Sequence, residues 1–545
     1  MTAKKLNVAV LLDGPLVPAW QHKMLSLLKD SQFANLEIFL VRNFPHPESA
    51  QLPEPLRRKS PWIYRALMFF ENLRFPRTPD PLTLMNIATD FSAVPTIFVE
   101  SKAETLSADA SAEIVNRQID VFVRLGLFPI QDEIFLASPL GIWSVNALDS
   151  RRGLTPIGFK ELYQGSTIGE VAIQAQRGDT PAPKIIFRST VAIEPTSLNR
   201  NWTNLYWKAA WSVPRLIRRA FELGADRIID GAPTLDSPNV FERAILPGTA
   251  TLVLLLLRHV ARFVVRKTRS LIKPEQWVIL WQLGTDQPLD IERFRVLAPS
   301  YDRFWADPFS IERSGIHYIF FEDCPRKTNI GQVSMLTIDA TGRSSLPTAV
   351  LKEPFHMSYP FVFEEGGFVY MVPETSVDKT IRLYRSEKFP LRWTLQSVLI
   401  ENIRAVDATL VQYNGKWWLF ANVSEQAGMS DWDELHLFYS DSPVSNKWTP
   451  HPMNPIVTDA RTARPAGRIY HRGGSLIRPS QDCSNGYGYA VNFNRIICMT
   501  ETDYREEVVY KLEPSQGTPY RALHTFNSQS GLVLLDARVE RWFWQ

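Results

Sequence analysis

A segment of about fifty residues recurs five times in the second half of the chain. Each copy contains a stretch of alternating apolar and polar residues, a glycine eight positions after the start, and a second alternating stretch. The copies align without a gap, and their starts are separated by 52, 48, 59 and 57 residues. They begin at Asp307, Tyr359, Asp407, Ala466 and Leu523. Each copy therefore predicts a β-hairpin with a glycine-containing turn.

Five hairpins at nearly equal spacing predict an all-β, five-bladed propeller over residues 274–545. Radial repetition leaves few exposed strand edges, which makes a closed ring the natural arrangement for such a chain. A β-sandwich built from similar hairpins is the alternative. Equal spacing and register across five units is hard for a sandwich to produce, so we favour the propeller.

The hairpin geometry predicts that polar residues of different copies meet. The first strand of a hairpin leaves one face of the ring and the second returns to it, so positions fifteen apart lie near the same mouth. Polar residues occupy or adjoin these positions: Asp307, Glu322, Tyr359, Glu374, Asp407, Asn422, Arg464, Gln481, Asp482 and His524. Because polar groups on closely packed strands are costly unless they bind one another or a ligand, we expect a ligand site at this mouth.

Three carboxylates of this set, Asp307, Glu374 and Asp407, fit the chemistry of a glycosidic bond. That chemistry needs one acid to protonate the leaving oxygen and a second carboxylate to act as base or nucleophile. We expect the other polar groups to bind the substrate: Glu322, Arg464, Arg478, Gln481, Asp482 and His524. The alternative is structural, with Asp307 and Asp407 capping hairpins or pairing with Arg464 and Arg478.

The first half of the chain, residues 1–248, has a different pattern. Apolar runs at Asn7–Leu12, Leu36–Val41, Thr96–Val99 and Val121–Leu125 alternate with helical stretches. This β-α-β alternation predicts a Rossmann-like parallel sheet with helices on its faces. Residues 249–273 then predict a helix that carries six Lys or Arg and no acid from Arg258 onwards. It is either a solvated connector or a surface that contacts an anionic membrane.

Composition removes several classes of function. A formal net charge of +3, from 60 Lys and Arg against 57 Asp and Glu, is too balanced to indicate a nucleic-acid partner. Three cysteines without a CxxC pair and nine scattered histidines indicate neither a disulfide framework nor a metal site. The chain opens without a signal-peptide pattern, and its longest apolar run is short. We therefore expect a cytoplasmic protein, or one peripheral to the inner membrane.

Five short motifs in the second half carry a family resemblance. They are WADPF from Trp305, SYPF from Ser358, VDAT from Val406, RPAGR from Arg464 and RPSQDC from Arg478. In this order they resemble the N-terminal domain of plant glucosamine inositolphosphorylceramide transferases and related bacterial proteins. The resemblance implies kinship with five-bladed furanosidase propellers. In the plant proteins a different domain carries glycosyl transfer, so the resemblance does not imply an activity of the propeller itself.

The stretches Gly141–Gln174 and Gly178–Ile193 resemble the formyltransferase fold of methionyl-tRNA and sugar-nucleotide N-formyltransferases. That family carries an Asn-x-His motif and a downstream Asp, and it uses 10-formyltetrahydrofolate. Here the motif is replaced by Ser144-Val145-Asn146, and Asp179 matches the downstream Asp. Asn146 has no group that titrates near neutral pH, so it cannot act as the family's general base. The resemblance therefore implies a degenerate pocket, without a cofactor unless the domain is active.

Together these features predict a carbohydrate-active protein of bacterial surface-glycan or glycolipid metabolism. Its partner would be a glycan, a sugar nucleotide or a glycolipid, bound or processed at the propeller mouth. Two alternatives remain open. One is a non-catalytic glycan-binding scaffold, and the other is an active sugar N-formyltransferase that uses 10-formyltetrahydrofolate.

Overall fold

The computed structural model describes residues 4–43, 62–100, 105–126, 133–145, 158–179, 182–229, 249–284, 290–515 and 517–541. The chain divides into two compact units. The first comprises Met1–Arg262 with Gln426–Met429, and the second comprises Phe263–Glu425 with Ser430–Gln545. Asn146 of the predicted formyltransferase-like pocket lies outside the described residues.

The first unit is built on a seven-stranded sheet of order β5-β3-β1-β6-β7-β8-β9. Its pairs from β5 to β7 are parallel, as the sequence predicts, whereas β7–β8 and β8–β9 are antiparallel. The strands of this unit are β1 Leu6–Leu12, β2 Leu16–Pro18, β3 Ala34–Asn43, β4 Leu84–Asn86, β5 Thr96–Glu100, β6 Val121–Arg124, β7 Ile142–Val145, β8 Ile168–Gln176 and β9 Lys184–Ala192. The parallel sheet is thus confirmed, while its assignment to the formyltransferase fold stays a prediction.

The helices of this unit are α1 Ala19–Lys29, α2 Trp62–Arg74, α3 Ile87–Asp90, α4 Ala108–Asn116, α5 Glu133–Ala137, α6 Phe159–Gln164, α7 Leu198–Leu223 and α8 Ala225–Ile229. The next helix, α9 Thr249–Ile272, contains residues of both units. The central strand β1 is paired on both sides, and its run Val8–Leu12 is fully buried, which explains why it is continuously apolar rather than alternating. Among the described helices, none is long and apolar enough to cross a lipid bilayer.

The second unit contains five four-stranded antiparallel sheets, which are the five blades of a propeller. Blade 1 is β12 Arg303–Arg313, β13 Ile316–Pro325, β14 Gln332–Asp339 and β15 Thr348–Leu351. Blade 2 is β16 Ser358–Glu365, β17 Phe368–Glu374, β18 Thr380–Lys388 and β19 Arg392–Glu401. Blade 3 is β20 Ala405–Tyr413, β21 Lys416–Val423, β22 Leu435–Ser440 and β23 Thr449–Pro450. Blade 4 is β24 Tyr470–Arg472, β25 Ser475–Asp482, β26 Ala490–Met499 and β27 Tyr504–Leu512.

Blade 5 closes the ring by combining the two ends of the unit. It consists of β10 Glu275–Leu283, β11 Arg295–Leu297, β28 Tyr520–Gln529 and β29 Leu532–Glu540. Strand β10 pairs with β29 along its whole length, from Glu275 opposite Glu540 to Leu283 opposite Leu532. This pairing leaves no open end at the start or finish of the repeat, and it confirms the propeller over the sandwich.

The repeated glycine has a single structural role in all five blades. It is the second of two adjacent turn residues that both have positive φ, the combination that a two-residue type I′ hairpin requires. The five turns are Ser314-Gly315, Gly366-Gly367, Asn414-Gly415, Gly473-Gly474 and Ser530-Gly531. The turns fix the hairpin register, and the register in turn places the polar residues at the opposite ends of the strands.

Candidate ligand site at the centre of the propeller

The repeat starts coincide with β-bulges in the innermost strands. The register of β12, β16 and β20 shifts at Asp307, Tyr359 and Asp407. These residues have φ values of 53°, 45° and 56°, a left-handed conformation that is rare for side-chain-bearing residues other than Asn and Asp. A bulge turns a side chain away from its normal alternation, and such bulges are frequent beside functional sites. The repeat thus marks the points where the inner strands direct polar side chains toward the axis.

Blade 4 departs from the predicted hairpin. Its inner strand β24 is short, and the preceding segment is irregular and pairs with β25 through Pro465 opposite Ser480. Gly467 in this segment has φ 128°. This irregular segment carries Arg464 into the centre of the ring.

One polar cluster joins blade 5 to blade 1. The His524 ring lies 2.8 Å from Asp536 through Nδ1 and 3.2 Å from Asp307 through Nε2. Thr525 Oγ1 donates to Asp307 Oδ1 at 2.8 Å, and the Asp307 backbone N–H donates to Asp536 Oδ2 at 2.8 Å. All four residues are buried. Two residues of blade 5, His524 and Thr525, therefore hold the Asp307 carboxylate of blade 1 in place.

The charges of this cluster stabilise one another. Burial alone would lower the pKa of His524, but the carboxylates of Asp536 and Asp307 raise it to about 10. Burial alone would raise the pKa of Asp307, yet His524, Thr525 and Arg464 hold it below its ordinary value. At neutral pH Asp307 is therefore an anion beside an imidazolium.

A second cluster joins blades 2, 3 and 4 around Arg464. Arg464 Nε donates to Asp407 Oδ2 at 2.6 Å, and its Nη2 lies 3.9 Å from Glu374 Oε2. Its Nη1 lies 3.5 Å from Asp431, and Gln481 Nε2 donates to Asp407 at 3.3 Å. One guanidinium thus faces three carboxylates, two of which are buried or nearly so.

Three carboxylates around one guanidinium raise the pKa values of the buried carboxyl groups among them. Burial raises the pKa of Glu374, while Arg464 and Ser376 oppose the rise. Burial also raises the pKa of Asp407, and Glu374 and Asp307 add to that effect against Arg464. Asp407 makes the shorter contact to the guanidinium, at 2.6 Å against 3.9 Å for Glu374. The site therefore combines Asp307, whose pKa is lowered, with Glu374 and Asp407, whose pKa values are raised.

Glu322 lies at the same end of blade 1. Its Oε1 is 3.2 Å from His356 Nε2, and burial raises its pKa. His356 Nδ1 accepts a hydrogen bond from the Gly331 N–H at 3.0 Å, so the ring hydrogen sits on Nε2 and points at Glu322. His356 thus holds the Glu322 carboxyl group in place.

Two residue groups have the spacing of metal ligands, Glu322 with Cys324 and His356, and Asp307 with His524 and Asp536. In each group a ring nitrogen of the histidine faces the carboxylate. A metal ion would need the lone pair of that nitrogen, so its binding would have to displace the hydrogen that joins the ring to the carboxylate.

Partly exposed aromatic rings flank the two clusters. The Trp277 ring centroid lies 4.2 Å from that of His524, and Tyr487 lies 5.4 Å from His524. The Arg464 guanidinium stacks over Tyr487 at 4.9 Å, and Trp432 packs against Tyr487 at 5.6 Å. Aromatic faces beside hydrogen-bonding groups provide both contacts that a sugar ring uses, one apolar and one polar.

The structure does not bring every predicted residue to this site. Arg478 is buried and its guanidinium is occupied by Glu506 at 2.6 Å and by the carbonyls of Thr462 and Ala463. Asp482 points to the opposite face of β25 from Gln481 and pairs with Lys511 at 3.1 Å. Adjacent residues of a strand face opposite sides, so Gln481 and Asp482 cannot both reach the axis.

The predicted formyltransferase-like pocket is described only in part. The Ser144 hydroxyl is buried and accepts a hydrogen bond from Arg124 Nε at 2.9 Å. Asp179 lies on the exposed turn after β8 and pairs with Arg177. Strand β8 runs antiparallel to β7, with Gln176 opposite Ile142, so Asp179 lies beyond the start of β7 and Ser144 lies further along it. The structure does not bring these two side chains together.

Several site residues were missed by the sequence analysis. Asp536 had a detectable signal: it is the fourteenth residue of its repeat, a position occupied by Phe320, Val372, Phe420 and Pro479 in the other copies. A charged residue in that apolar position indicates a specific partner. Tyr487, Trp432 and Asp431 lie in loops outside the repeat, where periodicity gives no information.

Residues 296–525 match the family described as glucosamine inositolphosphorylceramide transferase 1, N-terminal. The protein of that name from Oryza sativa subsp. japonica is 40% identical over 206 residues, which are 37% of this chain and 27% of that protein. The one from Arabidopsis thaliana is 36% identical over 217 residues, 39% of this chain and 28% of that protein. The chain therefore spans about a quarter of the length of these plant relatives, and the bacterial setting expected from the sequence stays a prediction.

Among solved structures, the chain is similar to Zg3597, a family 117 glycoside hydrolase from Zobellia galactanivorans, with 11% identity and a TM-score of 0.32 over 48% of this chain and 90% of that one. It is also similar to a GH32 beta-fructofuranosidase from Bombyx mori, with 12% identity and a TM-score of 0.32 over 51% of this chain and 61% of that one.

Proposed function

We propose that the propeller binds the sugar portion of a glycan or glycolipid at its central opening and acts on a glycosidic bond there. One observation carries this proposal: at the ends of neighbouring inner strands, Asp307 pairs with His524 while Glu374 and Asp407 face a single guanidinium, that of Arg464. A carboxylate and a carboxylic acid in one site are the groups that glycosidic-bond chemistry requires.

Each carboxyl has a separate role in this proposal. Glu374 protonates the oxygen of the departing group, and Asp307 accepts a proton from the attacking hydroxyl, which belongs either to water or to an acceptor sugar. Asp407 acts as a positioning residue, because it holds Arg464 in place at 2.6 Å. The rings of Trp277 and Tyr487 support the sugar face.

The ligand class is suggested by the relatives. Their names refer to an inositolphosphorylceramide, a lipid whose head group combines a cyclic polyol with a phosphate. We therefore propose an inositol- or sugar-bearing glycolipid head group as the first ligand to test, with neutral oligosaccharides as the comparison.

The test uses the full chain and titration calorimetry against head-group glycans, followed by product analysis. Asp307→Asn and Glu374→Gln should each lower turnover by about a hundredfold or more, and Asp307→Asn should weaken binding at least tenfold. Glu506→Gln is the matched control, because Glu506 also pairs with a buried arginine at 2.6 Å but lies away from the opening. It should bind and turn over ligand as the wild type does. Unchanged binding and turnover in Asp307→Asn and Glu374→Gln would refute the site.

A non-catalytic glycan-binding scaffold is the second candidate. This candidate is favoured by the hydrogen bonds that Asp407 already accepts from Arg464 and Gln481, because they give Asp407 a structural role that needs no substrate. Binding without detectable product at any pH would support this candidate.

We also propose that helix α9 contacts an anionic membrane surface. Leu257 is 60% exposed, Val264 50% and Val265 59%, on the helix that also carries five of the six basic residues. Apolar and basic side chains together are typical of helices that lie at a lipid interface. Vesicles containing anionic lipid should sediment the protein at low salt, and Leu257→Gln with Val265→Gln should release it. Failure of the wild type to bind such vesicles would refute this contact.

We propose, finally, that the first unit does not transfer formyl groups. The supporting observations are the replacement of the family's histidine by Asn146 and the pairing of Asp179 with Arg177 on an exposed turn. Release of tetrahydrofolate from 10-formyltetrahydrofolate in the presence of an amino-sugar nucleotide would overturn this proposal.

A further inference from the structure

A second cavity lies toward the hairpin-turn ends of the inner strands. It has a volume of about 420 Å³, and its lining includes Ile311, Phe363, Leu410, Trp417, Arg468 and Gln529. In β12 and β20 these positions follow Asp307 and Asp407 by three to five residues, so the cavity is about 10–15 Å further along the strands at the usual rise per residue. It is therefore a different site from the central opening.

A layer of hydrogen bonds between residues of all five blades separates this cavity from the central polar clusters. The Tyr359 hydroxyl, from blade 2, lies 2.8 Å from Thr409 Oγ1 of blade 3 and accepts from the Gly467 N–H of blade 4 at 2.7 Å. Asn527 of blade 5 donates to the Pro308 carbonyl of blade 1 at 2.7 Å. Tyr359 is completely buried. The channel of the ring is thus filled at mid-height, and a ligand in one site does not reach the other.

Arg468 provides the charge in this cavity. Its guanidinium stacks on Phe361 at 4.8 Å and donates through Nη2 to the Val362 carbonyl. Among the described residues no carboxylate lies within ion-pair distance of it, and burial lowers its pKa to about 10. Arg468 is half-buried, and the one hydrogen bond described for its guanidinium goes to the Val362 carbonyl, so other N–H donors remain for a ligand in the cavity.

The nearby carboxylates are occupied elsewhere. Glu364 pairs with Arg313 at 2.7 Å, and Glu312 accepts from the Gly315 N–H at 2.6 Å. In contrast, Gln529 Oε1 is buried without a hydrogen-bond partner among the described residues. The amide of Gln529 can present either its oxygen or its NH₂ to a ligand, because the two ends are interchangeable by rotation.

We propose that this cavity binds an oxyanion, a carboxylate or a phosphate monoester or diester, through Arg468. The planar guanidinium matches two oxygens of such a group. The apolar walls at Phe363, Leu410 and Trp417 hold the carbon skeleton that bears the anion.

The test measures binding of sodium phosphate and sodium acetate to the full chain by calorimetry, with sodium chloride keeping the ionic strength constant. The wild type should bind at least one of the two anions more tightly than chloride. Phosphate alone would assign the site to a phosphate ester, and acetate alone to a carboxylate. Arg468→Met should weaken binding at least tenfold, and Arg468→Lys, which keeps the charge but loses the planar fork, several-fold.

Two control variants make the result specific. Arg313→Met removes a rim arginine that is already paired with Glu364, and Asp307→Asn alters the central opening, so both should bind the anion within twofold of the wild type. If Arg468→Met does not fold, Arg468→Lys decides the question. The proposal is overturned if neither anion binds above chloride, or if every folded Arg468 variant binds as the wild type does.

Discussion

The carboxylate of Asp407 and the guanidinium of Arg464 form a 2.6 Å ion pair that joins the third blade to the fourth. Both side chains are almost completely buried. The inner strand of blade 4 has only three residues, Tyr470–Arg472, and the ion pair connects the irregular segment before it to blade 3. The same ion pair places the Arg464 guanidinium near Glu374. Stability of the propeller should therefore depend on the ionisation of these carboxylates.

Replacing Arg464 by Met should make stability depend on pH. The variant buries Asp407 and Glu374 without their cation, so both must take up protons to remain folded. We expect a loss of about 3–5 kcal/mol near pH 8 and a smaller loss near pH 5. Urea unfolding across this pH range measures the effect. The double variant Arg464→Met, Asp407→Asn should recover part of the loss, and a loss independent of pH would contradict the assignment.

Turnover should follow a bell-shaped dependence on pH. Glu374, whose pKa is raised, must be protonated, so the rate falls as pH rises through its pKa. Asp307, whose pKa is lowered, must be ionised, so the rate falls as pH decreases through its pKa. Measured as kcat/KM on a head-group substrate, Glu374→Gln should lose the alkaline limb. An alkaline limb that survives in Glu374→Gln would assign the acid to another residue.

His524 should stabilise the fold in neutral solution and cease to do so in alkali. Its pKa in the folded protein is about 10 against 6.5 in the unfolded chain. A raised pKa contributes stability that is complete below pH 6.5 and is lost as pH rises toward 10, by up to about 5 kcal/mol. Unfolding measured between pH 6 and 10 should therefore be flatter in His524→Gln than in the wild type. Equal slopes would show that His524 is neutral.

Removing one hydroxyl should test the layer that fills the channel. Tyr359→Phe leaves the buried Gly467 N–H without its acceptor, so we expect a loss of about 1–3 kcal/mol in the free energy of unfolding. Tyr384→Phe is the matched control, because that buried ring donates to the partly exposed Glu353, which water can solvate instead. It should lose less. Similar losses in both variants would argue against the layer.

Sequence periodicity predicted much of the second unit because its signals are local. The glycine at a fixed offset demands a two-residue turn, the turn fixes strand register, and register places Asp307 opposite the end of β13. The same reasoning predicted that Asp407, Glu374 and Gln481 lie close together, and in the structure Asp407 contacts Gln481 and shares the Arg464 guanidinium with Glu374. In the first unit, the buried run of β1 predicted a parallel sheet for a similarly local reason.

The sequence by itself determined the five hairpins, their turns and the end of the ring at which polar residues gather, since each depends on residues close together along the chain. Only the tertiary structure decided which charges meet. Arg464 pairs with Asp407 while Arg478, fourteen residues later, pairs with Glu506, and nothing in their local sequence distinguishes the two arginines. The partner of each arginine depends on contacts between strands that are distant in the chain. A buried charge must be paired, and the packing of its own blade and of the neighbouring blade decides which carboxylate lies near enough to pair with it.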